Sequence, residues 1–163
     1  MQRENESDDG SQKVAVITGS SKGIGKPIAI EFPKEGYKIV LNARDEYELI
    51  EAVNDVKKTI GATEERVTYS VGDISQENIC ISLIEHAIKV FGRIDVLVNN
   101  AGVGGASKSV QELTSDEWDY VIDVNLKGAF LCIREAIKKM TYGDKSTRKT
   151  YSIINISSVH ESI

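Results

Sequence analysis

The sequence predicts an α/β fold in which a parallel sheet of about five strands lies between two layers of helices. Short, continuous apolar runs, as at 14–17 and 39–41, are typical of strands that are buried on both faces. Amphipathic stretches with helical spacing separate these runs. A regular alternation of strand and helix is typical of a three-layer, doubly wound parallel sheet with helices on both faces.

Strands and helices can be assigned in order along the chain. The strands are predicted at 14–17, 38–42, 66–74, 94–98 and 152–156. The helices are predicted from Ile24 to a stop at Gly36, at 45–60, from an N-cap at Ser75, and from a start at 114–117 that continues as a mostly apolar helix over 126–140. Residues 141–150 are predicted to form a polar loop. The resulting order is β-α-β-α-β-α-β-α-β.

Capping signals place several helix ends. Gly61 closes the helix at 45–60, because glycine adopts the left-handed conformation at little cost. Ser75 is a predicted N-cap, and the Thr-Ser-Asp-Glu sequence at 114–117 has the form of a capping box.

Two prolines fall within the first predicted helix. Pro27 is compatible with a first turn, where its missing N–H would have no helical partner. Pro33 lies deeper and would cost roughly 3 kcal/mol in a helix interior. We therefore expect a kink or an early end near Phe32.

Composition and charge exclude several classes of protein. The net charge is −5, and no basic face indicates nucleic-acid binding. No apolar run approaches the roughly 18 to 20 residues of a membrane span. Residues 1–12 are expected to be a disordered polar tail without the apolar core of a secretion signal. Cys80 and Cys132 have no metal-ligand spacing and are expected to be buried free thiols of a cytoplasmic protein.

The glycine-rich segment at 18–25 follows the first strand and opens the first helix. Gly19, Gly23 and Gly25 fall where a tight turn, a close backbone approach and free helix N–H groups would hold a pyrophosphate. The context of strand, loop and helix makes dinucleotide binding the favoured interpretation, with a plain structural turn as the alternative. No Gly-Lys-Ser/Thr sequence follows, so the segment is not a Walker loop. These features predict a Rossmann-type domain at 13–163.

The same segment resembles the motif of the short-chain dehydrogenase/reductases, Thr-Gly-x-x-x-Gly-Ile-Gly. Further motifs of that family follow in order: Asp73 at the end of the third predicted strand, Asn-Asn-Ala-Gly at 99–102, Asn125, and Asn-Ile-Ser-Ser at 155–158. The resemblance runs from about Lys13 to the last residue. Its Ser-Val-His-Glu ending is most similar to glucose 1-dehydrogenases, with 3-oxoacyl-carrier-protein reductases as the close alternative.

The resemblance implies a set of cofactor-binding residues. They are Gly19, Ser20, Ser21, Lys22, Gly23, Ile24, Gly25, Arg44, Asp73, Ile74, Asn100, Ala101 and Gly102. Members that choose NAD place an acid after the second strand, where it binds the ribose hydroxyls. Here Ala43 stands at that position and Arg44 follows. Together with Lys22, Arg44 favours the 2′-phosphate of NADP, with use of NAD left open.

Members of this family transfer hydride between nicotinamide and a carbonyl or alcohol carbon of a small molecule. The resemblance assigns Ser158 to the substrate oxygen, with Ser157 as the competing choice, and Asn125 to a water-holding role. It also requires a Tyr-x-x-x-Lys motif, which would lower the tyrosine pKa from roughly 10 towards working pH. That motif is absent downstream of Ser158, so the chain alone is expected to be inactive.

These observations leave two functions open. The first is an NADP-dependent oxidoreductase whose domain lacks its C-terminal part and whose full-length form is a homo-oligomer. The second is a catalytically inactive dinucleotide-binding or interaction module. In either case the fifth strand, with Ile153, Ile154 and Ile156, would form an exposed apolar edge. The helix around Leu126 and Phe130 would lose cover as well.

Overall fold

The computed structural model describes residues 12–61, 64–140 and 150–157. It contains one parallel sheet with the order β3-β2-β1-β4-β5. The strands are β1 Val14–Thr18, β2 Lys38–Ala43, β3 Val67–Val71, β4 Val96–Asn99 and β5 Ser152–Asn155. The helices are α1 Gly25–Lys34, α2 Glu46–Ile60, α3 Glu77–Phe91, α4 Ser115–Ile122 and α5 Ala129–Met140. Two short 3-10 turns, Glu64–Arg66 and Val110–Glu112, and a π-helical segment, Asp123–Gly128, complete the described elements.

Alternate side chains of β1 pack into two separate cores, one on each face of the sheet. Helices therefore cover both faces, which confirms the predicted three-layer fold. Ala15 and Ile17 pack with α1 and α2 on one face of the sheet. Val16 packs with α3 and α5 on the other face, together with the two buried cysteines. Because β1 pairs with both β2 and β4, the chain reverses its direction of travel across the sheet beside β1. In sheets of this kind, ligands bind outside the carboxyl ends of the strands at such a switch point.

The first helix continues through Pro33 to Lys34, so of the predicted kink or early end near Phe32, the end lies two residues later than expected. Pro33 is buried and occupies the last turn, where it removes a single helical hydrogen bond. Its carbonyl accepts hydrogen bonds from Gly36 N–H and from the Arg66 guanidinium. The carbonyl of Pro33 therefore has partners beyond the end of the helix. Pro27 lies in the first turn, as predicted.

The third helix begins at Glu77, and its N-cap is Gln76, not Ser75. Asp73 explains the difference, because its carboxylate accepts a hydrogen bond of 2.9 Å from Ser75 N–H. The backbone carbonyl of Asp73 also accepts a hydrogen bond from Gln76 N–H at 3.1 Å. These two bonds form a turn over 73–76, and the helical hydrogen bonds begin after it, with Cys80 N–H donating to the Gln76 carbonyl. The predicted caps at Gly61 and Thr114 are present.

The β5 edge of the described sheet is partly exposed, as predicted. Ile153 is 36% exposed and Ile154 is 40% exposed, and each is a large apolar side chain. Leu126 and Phe130 are exposed on the neighbouring helical surface. The predicted tail at 1–12 lies outside the described residues except for Gln12, and so does the predicted loop at 141–150 except for Thr150.

Candidate functional site

The glycine loop leaves β1 through a left-handed turn that requires glycine for two reasons. Gly19 has φ +61°, and a Cβ there would lie 2.6 Å from Ala101 Cα. Gly25 begins α1 against the Gly19 carbonyl and the Asn100 side-chain amide, with no space for a Cβ. Gly23 also has a positive φ, of +56°, but faces open space. The loop thus packs closely against residues 100–101, which follow β4.

Thr18 fixes the contact between these two segments. Its hydroxyl accepts hydrogen bonds from the N–H groups of Asn100 and Ala101, each at 3.1 Å. The Asn100 side-chain amide returns two hydrogen bonds, to the carbonyls of Thr18 at 3.0 Å and Gly19 at 2.8 Å. The Asn-Asn-Ala-Gly motif therefore holds the glycine loop in place through these hydrogen bonds, at the switch point of the sheet.

Ser20 is the one member of the predicted set in the loop whose side chain is directed into the protein. It is fully buried, and its hydroxyl donates to the Asn42 carbonyl at 3.2 Å. Asn42 N–H donates back to the Ser20 hydroxyl at 3.0 Å. Only the backbone of Ser20 is left for a ligand, and its N–H is already bonded to Asn42 O.

The N-terminus of α1 offers unpaired N–H groups to an anion. Its N-cap is Ile24, no side chain caps it, and its first turn holds no acidic residue. The first N–H groups of a helix have no internal partner, and the helix dipole adds partial positive charge there. The loop and helix start therefore fit a pyrophosphate, because they combine free donors with a backbone that ligand atoms can approach closely.

Lys22 and Ser21 stand at the outer side of this loop and share one carboxylate. Lys22 Nζ lies 3.0 Å from Glu48 Oε1, and the Ser21 hydroxyl donates to Glu48 Oε2 at 3.4 Å. The Lys22 side chain is 76% exposed, so this pairing is open to competition from a bound anion. Glu48 belongs to the first turn of α2 and was not among the predicted site residues.

Arg44 extends from the end of β2 towards two acceptors. Its Nη1 donates to the Tyr120 hydroxyl at 3.1 Å and lies 3.6 Å from Asp73 Oδ2. The hydrogen bond to Tyr120 raises the pKa of Arg44, and the charge of Asp73 adds to the rise. Arg44 thus stays cationic at the edge of the cleft. Asp45, which could have neutralised it, instead caps α2 by accepting from Glu48 N–H.

Asp73 and Ile74 follow β3 but differ in what they offer. Oδ2 of Asp73 faces the Arg44 guanidinium, while Oδ1 accepts the hydrogen bond from Ser75 N–H in the turn before α3. The Ile74 side chain is buried in the core beside Cys80, and Gly128 packs against it. Only the Ile74 backbone is therefore available beside Asp73 for a ligand.

Asn125 lies in the π-helical segment and holds the chain that follows Gly102. Its Oδ1 accepts from Val103 N–H at 2.8 Å, and its Nδ2 donates to the Val103 carbonyl at 3.0 Å. π-Helical turns are frequent at functional sites because they redirect side chains from a continuous helix. Here the wide turn presents Asn125 at the carboxyl edge of β4.

The structure brings most of the predicted cofactor residues to one edge of the sheet. The glycine loop, Arg44, Asp73 and residues 100–102 all lie at the carboxyl ends of β1 to β4. Ser158 lies outside the described residues, while Ser157 is exposed beyond β5. Asn155, at the end of β5, accepts a hydrogen bond of 2.9 Å from Asn99 Nδ2.

Comparison with known proteins places this arrangement in a family. The short chain dehydrogenase family model matches residues 13–162. The chain belongs to this family. It is 37% identical over 147 residues to 3-oxoacyl-(acyl-carrier-protein) reductase FabG of Staphylococcus aureus, covering 90% of this chain and 56% of that protein. It is also 37% identical over 151 residues to glucose 1-dehydrogenase 2 of Bacillus subtilis, covering 93% of this chain and 56% of the relative. The chain thus spans about half the length of these relatives.

Solved structures of short-chain dehydrogenases share the fold. L-Sorbose reductase from Gluconobacter frateurii, complexed with NADPH and L-sorbose, superposes with a TM-score of 0.80 at 35% identity over 91% of this chain and 53% of its own. The 3-ketoacyl-(acyl-carrier-protein) reductase from Brucella melitensis, complexed with NADH, gives a TM-score of 0.81 at 29% identity over 91% of this chain and 57% of its own.

Three residues of the site were not found from the sequence. Asn42, Glu48 and Tyr120 contact predicted site residues. Polarity inside an apolar strand was the available signal for Asn42, which is buried. Glu48 and Tyr120 lie on helices, where exposed polar residues are ordinary, so no local signal marked them.

Within the described ranges, 12–61, 64–140 and 150–157, no group of three or more His, Cys, Asp or Glu side chains could hold a metal ion. None of the helices in that part of the chain combines the length and apolar character needed to cross a membrane. The two cysteines there are free and buried, as expected.

Proposed function

We propose that this chain forms the cofactor-binding part of an NADP-dependent oxidoreductase acting on a small carbonyl or alcohol compound. The observation that carries the proposal is the glycine loop joined to the uncapped start of α1. Thr18 and Asn100 hold the loop, Gly19 and Gly25 let it pack against residues 100–101, and Gly23 faces open space. The names of the relatives support a sugar or oxoacyl substrate.

The residues present fit the dinucleotide in distinct ways. The N–H groups at the start of α1 would hold the pyrophosphate. Asp73 and the Ile74 backbone would border the adenine ring, and Lys22 with Arg44 would bind a 2′-phosphate. When bound, the nicotinamide supplies or accepts hydride. Asn125 would keep the loop after Gly102 in place beside it.

Catalysis needs a proton donor that this sequence does not provide downstream of Ser158. We propose Ser158 as the residue that binds the substrate oxygen, and we expect no turnover from the 163-residue chain alone. Following NADPH oxidation at 340 nm with sugars and ketones tests this. Turnover above the protein-free control would contradict it.

Cofactor preference is tested by calorimetric titration of the chain with NADPH and with NADH. We expect tighter binding of NADPH, because Arg44 and Lys22 can make charge-assisted hydrogen bonds to the 2′-phosphate. Arg44→Ala should weaken NADPH binding by about tenfold and leave NADH binding within about twofold. Lys34→Ala is the matched control, since Lys34 is an exposed cation at the far end of α1. Tighter NADH binding by the unmodified chain would overturn the preference.

A further inference from the structure

The charges around the proposed 2′-phosphate position cancel in this structure. Lys22 is paired with Glu48 at 3.0 Å, and Arg44 lies 3.6 Å from Asp73. Each cation therefore has one carboxylate partner. A phosphate that carries about two negative charges would meet a neutral cluster here, not a cluster of two free cations.

The local structure of α2 holds Glu48 in this place. Glu48 N–H donates to the Asp45 carboxylate at 2.9 Å, which fixes the first turn of the helix. A carboxylate is favoured there by the partial positive charge of the helix N-terminus. The Glu48 side chain is 39% exposed and its two oxygens have different partners, Lys22 and the Ser21 hydroxyl. Glu48 thus occupies the outer donors of the glycine loop that a bound phosphate would need.

We propose that Glu48 is a specificity-determining residue that weakens the preference of this site for a 2′-phosphate. The inference rests on the proposed cofactor function. Binding of NADPH requires Lys22 to exchange Glu48 for the phosphate, and the carboxylate then stays nearby and repels the phosphate. Binding of NADH requires no such exchange, because its 2′-hydroxyl carries no charge. The carboxylate therefore opposes one cofactor and leaves the other unaffected.

The test compares Glu48→Gln with Glu51→Gln by calorimetric titration with NADPH and NADH. Both substitutions remove one negative charge from α2, but Glu51 is exposed and lies one turn further along. We expect Glu48→Gln to tighten NADPH binding about fivefold, the upper range for an exposed ion pair, and to change NADH binding by less than about twofold. Glu51→Gln should change neither. In a Lys22→Ala background, Glu48→Gln should keep only the part of this gain that comes from direct repulsion between the carboxylate and the phosphate.

The outcomes separate this inference from the proposed function. If the unmodified chain binds NADPH and Glu48→Gln leaves that affinity unchanged or weaker, Glu48 does not oppose the phosphate and the inference is wrong. An equal gain for NADPH and NADH would also overturn it. If the unmodified folded chain binds neither cofactor, the proposed function fails and the inference fails with it. Circular dichroism of each variant excludes unfolding as the cause.

Discussion

Ser20 and Asn42 hold each other through three hydrogen bonds. Ser20 N–H donates to the Asn42 carbonyl at 3.0 Å, its hydroxyl donates to the same carbonyl at 3.2 Å, and Asn42 N–H donates to that hydroxyl at 3.0 Å. The Asn42 amide also donates to the carbonyls of Ser70 and Gly72 on the far side. One buried asparagine thereby ties the glycine loop to β2 and to the end of β3.

Substituting Ser20 with Ala should therefore act on stability. The change leaves Asn42 N–H buried without its partner, and we expect the free energy of unfolding to fall by about 1–3 kcal/mol. Ser21→Ala is the control, because that hydroxyl makes one long bond, of 3.4 Å, at the surface. Urea denaturation measures both variants. Equal stability of the two would show that the buried pair contributes little.

Alanine substitutions at Gly19 and Gly23 separate the cost of a positive φ from the cost of a steric clash of the added Cβ. Both have a positive φ, so Ala at either position should cost about 1 kcal/mol or somewhat more. At Gly19 the added Cβ also meets the Ala101 backbone, and the clash should cost a further 1–3 kcal/mol or so. Thermal unfolding should thus rank Gly19→Ala well below Gly23→Ala. Similar melting temperatures would show that Ala101 moves away freely.

Thr18→Val tests the link between the loop and the Asn-Asn-Ala-Gly segment. Valine keeps the shape of the side chain but removes the acceptor for the N–H groups of Asn100 and Ala101. We expect a loss of about 2 kcal/mol in the free energy of unfolding and faster amide exchange at both residues. Thr18→Ser keeps the hydroxyl and should restore slow exchange. Unchanged exchange in Thr18→Val would contradict this role for the hydroxyl.

His86 should make stability depend on pH. Its Nε2 lies 2.9 Å from the Thr68 hydroxyl, and burial lowers the pKa of its imidazole, with Lys89 adding to the shift. The unfolded chain takes up this proton near pH 6.5, whereas the folded chain does so at lower pH. Stability is therefore retained above about pH 6.5 and lost as the pH falls towards the folded pKa. Melting temperatures of His86→Gln should fall less between pH 7.5 and about 5.5 than those of the unmodified chain. Parallel curves for the two proteins would refute this.

Local signals in the sequence were enough to predict the strands, the glycine loop and the caps at Gly61 and Thr114. They were not enough where another side chain competes for the same backbone group. Asp73 takes the Ser75 N–H and delays α3 to Glu77. Pairing in space also decides the surroundings of the cations, since Lys22 and Glu48 are 26 residues apart and Arg44 and Tyr120 are 76 apart. Such pairs cannot be predicted from the spacing of residues along the chain.

The π-helical segment Asp123–Gly128 has a consequence for how this chain tolerates changes in length. An α-helix turns about 100° per residue, so the wide turn offsets α4 from α5 by roughly the angle of one residue. Deleting a single residue there would restore a regular helix and rotate Tyr120 away from Arg44. The loss of one codon in this segment, at any position other than Asn125, would thus change the surroundings of Arg44 while leaving every predicted site residue in the sequence.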